Sequence, residues 1–142
     1  RPGIDRHWAQ RNIAALVPPQ ADHQFTVHNP TNKPLECDIV ARPLQENALP
    51  FVSRLWRAPV VSHPAINHSL SDETGSRATP GPNREAVIRT MLRPHEIRKV
   101  NLHIDVLPGN PRKNLIVCEV VQYAAGNRNV AVGSLGVYIA LP

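Results

Sequence analysis

Residues Met91 to Val106, MLRPHEIRKVNLHIDV, decide how this chain is read. Val100, Leu102, Ile104 and Val106 are apolar, and Asn101, His103 and Asp105 between them are polar. That period of two places one set on each face of a half-buried strand. Just upstream, Leu92-Arg93-Pro94-His95-Glu96 reads as a polar corner. A strand, a proline-bearing corner and a second half-buried strand are the punctuation of an antiparallel β-sandwich. The stretch therefore predicts an all-β fold and points away from most enzyme scaffolds.

Composition agrees. The 142 residues suit one domain with a real core, and 42% hydrophobic against 19% charged residues is a globular balance. Aromatics are only 4%, so Val, Ile, Leu and Ala must fill the interior. The 15 prolines are poorly tolerated inside helices and suit many corners and strand edges.

Working outward, Asn12–Val17, Gln24–His28, Leu35–Ala41, Ala86–Met91, Asn114–Tyr123 and Val130–Leu141 read as strands. In the third, Leu35, Cys37 and Ile39 point inward and Glu36 and Asp38 outward. In the fifth, Ile116, Cys118 and Val120 point inward. Asn29–Pro34 and Pro108–Pro111 are turn-dense, and Ala125–Asn129 reads as a hairpin turn. Gly133 and Gly136 mark a bulge or a close approach in the last strand. Phe51–Trp56 and Ala58–Val61 are further strand candidates, which makes about seven or eight strands in all. The expected organisation is a lead-in over residues 1–10, then one β-sandwich domain over 11–142 with an irregular insert at 43–85. Within that insert, Ser69–Asn83 reads as an exposed polar loop. A connection so long is uncommon in a compact domain and is usually functional or mobile. The start Arg1-Pro2-Gly3, without a Met, suggests a piece cut from a longer chain.

The spacing of Phe25-Thr26-Val27-His28-Asn29-Pro30, of Leu92–Glu96 leading into Val100–Val106, and of Val117–Tyr123 with its hairpin resembles the immunoglobulin-like β-sandwich superfamily. It is most similar to accessory modules of bacterial secreted and cell-surface proteins. In such modules an F-x-V-x-N strand opens the sandwich, and an L-x-P-x-E corner precedes the strand that changes sheet. The resemblance implies an extracellular, periplasmic or cell-surface setting. No tryptophan stands at the antibody spacing after Cys37, so an antibody-type domain is not implied.

Chemistry is sparse. There is no G-x-S-x-G, phosphate loop or dinucleotide fingerprint, and His95-Glu96 lacks the second histidine of a metalloprotease helix. Asp72-Glu73 reads as a solvated pair. The seven histidines are dispersed, although His63 and His68 have a spacing a metal accepts. Catalytic residues, metal ligands and cofactors are therefore all expected to be none. The net charge of +5 is scattered without interleaved aromatics, so no nucleic-acid partner is expected. No apolar run approaches the ~20 residues of a membrane helix, so no membrane insertion is expected. Cys37 and Cys118 sit at inward positions, where either a disulfide or two packed thiols is open.

These features predict a non-catalytic accessory or interaction module of a larger exported protein. It would pack against an adjacent domain of its parent chain or bind another protein. Arg54, Trp56, Arg57, His63 and His68 are the expected contact residues, because Trp and Arg favour binding hot spots. The alternatives are a carbohydrate-binding module, which needs a row of exposed aromatics, and a small metal-dependent hydrolase, which needs converging ligands.

Overall fold

A computed structural model describes residues 12–16, 22–45, 66–106 and 115–140. They form nine strands: β1 (Asn12–Leu16), β2 (Asp22–His28), β3 (Leu35–Gln45), β4 (Ile66–Asp72), β5 (Arg77–Ala78), β6 (Ala86–Leu92), β7 (Ile97–Val106), β8 (Leu115–Ala124) and β9 (Asn127–Ala140). One sheet has the order β1-β9-β8-β3-β6 and the other β2-β7-β4-β5. Pairing is antiparallel except between β1 and β9, which run parallel. The fold is the expected all-β sandwich.

Alternation builds the interior. On β7, Val100, Leu102 and Ile104 are buried, Asn101 and His103 between them are half-buried, and Lys99 and Asp105 on either side are exposed. The same period buries Val27 on β2, Cys37, Ile39 and Ala41 on β3, Ala86, Ile88 and Leu92 on β6, and Cys118 and Val120 on β8. These residues, with Ile66, Leu70 and Val137, form one apolar cluster fed by both sheets. Each large aliphatic side chain buried there contributes about 1.5–3 kcal/mol.

The opening stretch does what its pattern predicts. β6 pairs with β3 and β7 pairs with β2 and β4, so the corner at 93–96 carries the chain from one sheet to the other. His95 holds a left-handed φ of 58° to make that crossing. The β8–β9 hairpin turns at Ala125-Gly126, with Gly126 at φ 71°.

The exposed loop expected over Ser69–Asn83 needs correcting. Ser69–Asp72 complete β4, and Arg77–Ala78 pair back on it as β5. The strand was hidden because two of its four inward positions are polar. Ile66, His68, Leu70 and Asp72 are all buried, and only Ile66 and Leu70 signal it.

Candidate functional site

Arg54, Trp56, Arg57 and His63 lie outside the described residues, as do the strand candidates at 51–56 and 58–61. His68, expected beside them on a contact surface, is instead an interior group. It is 4% exposed and its Nε2 lies 3.1 Å from the Ala41 carbonyl oxygen. Burial lowers its pKa below the usual imidazole value, against the opposing pull of that carbonyl.

Cys37 and Cys118 are both free and fully buried. They lie on adjacent strands of one sheet, Cys37 opposite Ala124 and Cys118 opposite Pro43. Six strand positions separate them, about 20 Å at the rise of a strand, against the roughly 7 Å limit a disulfide tolerates. The packed-thiol reading is the correct one. Burial pushes the Cys118 thiol up to about 12 and raises Cys37 as well.

Much of the buried polar chemistry braces corners. Asn29 is fully buried at the end of β2. Its Nδ2 donates to the carbonyls of Lys33 (2.7 Å), Arg93 (2.9 Å) and Leu92 (3.4 Å). Its Oδ1 accepts from the Thr31 amide and hydroxyl, at 3.0 and 2.7 Å. One side chain thus ties the 29–34 turn to the corner at 93–96. Below it, Arg98 is 6% exposed at an inward position of β7. Its guanidinium donates to Glu96, Thr90 and the Met91 carbonyl, and lies 3.7 Å from Asp72 Oδ2. Asp72 Oδ1 meanwhile accepts from Thr74 N, Thr74 Oγ1 and Ser76 N, organising the β4–β5 turn. Asp72-Glu73 is therefore no solvated pair, since Glu73 Oε1 also accepts from the Lys99 amide.

The outer face of the five-stranded sheet is also occupied. Asp38, expected to face outward, does so but is 2% exposed and takes two bonds from Arg89. Arg89 holds the Asp38 carboxyl below the usual carboxylate range. Arg42 bridges Glu119 and Glu85, each at 3.1 Å, and Arg128 joins Glu85 while lying over the Tyr123 ring. Val40, Val121 and Tyr123 form a second, small apolar cluster on this face.

The outer face of the four-stranded sheet is polar. His103 Nδ1 lies 2.8 Å from Asp22 Oδ1 and its Nε2 lies 3.1 Å from Asp105 Oδ1, while Asn101 donates to Asp22. The carboxylates approach opposite nitrogens of the ring. Among the described residues, no three His, Cys, Asp or Glu side chains converge to hold a metal. The Asp22 bond raises the His103 pKa, and the Asn101 and His103 bonds lower that of Asp22.

The two histidines therefore have opposite linkage. The folded state binds the His103 proton more tightly than the unfolded chain does. Its contribution is whole below pH ~6.5 and is lost as pH rises through the folded value. The folded state resists protonating His68, so its contribution is lost as pH falls from ~6.5 through the folded value. Proton NMR titration is expected to place the His103 midpoint above ~6.5 and the His68 midpoint below it. Asp22→Asn should bring His103 down and leave His68 where it is.

A concavity of about 570 Å³ forms a seam between the sheets. One wall is β2, through Phe25, Thr26, Val27 and His28. The other is β8 and β9, through Val120, Gln122 and residues 132–135. Among the described residues, neither wall is continued by a further strand at this side. β2 is the terminal strand of its sheet, and β1 covers β9 only from Leu135 onward. The expected irregularity near Gly133 is present. Gln122 pairs with Gly133 and Tyr123 with Ala131, which leaves Val132 as the extra residue of a bulge. Val132 and Val130 are 39% and 46% exposed beside the seam. Gln122, 6% exposed, donates from Nε2 to the His28 carbonyl across it.

The sequence placed every seam residue but Pro30 on a strand and marked the glycine irregularity, but it did not show that these strands face one another. Gln122 gave no signal, because a glutamine in a strand reads as a solvent position. Phe25 packs on the core and Tyr123 is buried, so neither of these two rings is an exposed platform for a sugar. No helix among the described residues is long and apolar enough to cross a membrane.

No protein-family model matches the chain, and no curated protein sequence matches it. Several solved structures are similar at low identity. The N-terminal domain of PorA matches with a TM-score of 0.48 and 8% identity, over 92% of this chain and 87% of that one. A family 123 glycoside hydrolase from Clostridium perfringens matches with a TM-score of 0.48 and 10% identity, over 92% of this chain and 23% of that one. The periplasmic chaperone SfaE matches with a TM-score of 0.39 and 9% identity, over 91% of this chain and 54% of that one.

Proposed function

We propose that the chain is a non-catalytic interaction module of a larger exported protein, an immunoglobulin-like accessory domain that recognises a polypeptide partner at the seam between β2 and β9. The observation that carries this reading is the seam itself. It is a concave surface, more apolar than polar and open to solvent, lined by exposed Val132 and bounded by strand edges that no other described strand pairs with. Exposed edges and apolar patches of this kind are where β proteins meet other chains. The more deeply buried charged residues, Asp38, Asp72, Arg98 and Glu119, sit in ion pairs that brace corners and neighbouring strands.

The test is a displayed library of short peptides selected on the chain, with bound peptides mapped by amide chemical shifts. Selected binders are expected to perturb residues 24–28 and 130–135 and to lose affinity on Val132→Lys. Binders that map to the polar outer face around His103, or no binders at all, would refute the reading.

A further inference from the structure

We infer that the seam is the vacant position of a fifth strand in the four-stranded sheet, and that its occupant is a single extended segment of a partner polypeptide that pairs with β2. This rests on the interaction-module reading and deepens it. The two sheets are unequal, five strands over four. Opposite β8 and β9 the smaller sheet stops at β2, whereas the larger continues to β1. Among the described residues, one strand's width beside β2 is therefore left over.

The ladder fixes which backbone groups face that space. Asn29 N donates to Glu96 O, continuing the register in which Val27 faces Arg98 and Phe25 faces Val100. In an antiparallel pair, residues alternate between pointing both backbone groups at the partner strand and pointing both away. Asn29, Val27 and Phe25 point theirs at β7. His28, Thr26 and Gln24 point theirs away from it. The His28 carbonyl confirms the phase, because Gln122 reaches it from the opposite sheet. Gln122 thus supplies one rung of the missing strand. The N–H and C=O of Gln24 and Thr26 are the next rungs, and a partner backbone completes them.

The lining defines the partner's side chains. Phe25, Val27, Val120, Val132 and Leu135 present apolar surface, and no Asp, Glu, Lys or Arg is among the described residues that line the seam. The segment must carry uncharged apolar residues at every second position, facing the larger sheet. Residues between them face solvent and are unrestricted. A second copy of this chain is a poorer occupant. Pairing β2 with its symmetry mate would bring two overhanging β1–β9 edges over the same two strands.

Hydrogen exchange of the full chain, with and without a selected peptide, tests this. Bound peptide is expected to protect the Gln24 and Thr26 amides at least about tenfold, with little change at Phe25 and Val27, already bonded to β7. N-methylating the peptide at alternate residues should abolish binding in one phase and spare it in the other. Thr26→Pro should weaken binding about tenfold or more, because it removes an N–H that β7 does not use. A thermal melt of this variant checks that it folds, and the N-methyl series needs no variant. If peptides map to the seam but both N-methyl phases bind equally, or Gln24 and Thr26 stay unprotected, strand addition is wrong and the seam reading stands. If no peptide maps to the seam, both fall.

Discussion

Asn29→Ala is expected to lower the free energy of unfolding by about 3–4 kcal/mol, since it removes at once the five hydrogen bonds made by one fully buried side chain. Three carbonyls lose their shared donor, and the Thr31 amide and hydroxyl lose their acceptor. An isolated hydrogen bond is worth about 1 kcal/mol net, but an orphaned buried partner costs about 1–3. Marginal stability of about 5–15 kcal/mol makes this a large fraction of the whole. Urea denaturation reads it as a fall in midpoint at constant slope. Asn29→Asp separates donor from shape. It keeps an acceptor for Thr31 and sets a carboxylate against three carbonyls, so it should be no milder than alanine. A loss below about 1 kcal/mol for both would mean that the two corners hold without their cross-brace.

Arg98→Met should cost about 3–5 kcal/mol, the penalty for breaking a buried ion pair from one side. The methionine fills much of the space but leaves Asp72 Oδ2, already without a hydrogen bond, facing no cation. The Thr90 hydroxyl, the Met91 carbonyl and Glu96 lose their donor in the same step. Adding Asp72→Asn should restore part of the loss, because the stranded charge goes while the Thr74 and Ser76 amides keep an acceptor. Denaturation of the two single variants and the double closes a cycle. Strict additivity would show that Arg98 and Asp72 are not coupled.

How much of this could be read beforehand depends on what each position asks of its residue. Where apolar and polar residues alternate strictly, as from Val100 to Asp105, the strand, its inward face and the change of sheet before it were legible. Where an inward position carries a polar group, the period vanished. His68 and Asp72 hid β4 in what looked like a loop, and their partners, Ala41 and Arg98, come from other strands. Asp38 showed the right direction but not its burial, which depends on tertiary cover rather than on local pattern. Cys37 and Cys118 showed the right orientation, but only the register of β3 against β8 reveals six positions between them. The seam was less legible still. It is made by what is missing from one sheet relative to the other, and strand order is not written in any single segment.

The parallel pairing of β1 with β9 also constrains how the chain is made. Residues 12–16 leave the ribosome first among the strands, and their partners, Leu135–Ile139, leave last. Until residues 135–139 emerge, the segment NIAAL lacks the strand it pairs with. Its pairing spans the longest sequence separation among the described strands, and such non-local pairing is intrinsically slow to close. Until then an apolar strand with open backbone groups is available to the wrong neighbour, and a chain interrupted before Leu135 keeps it so.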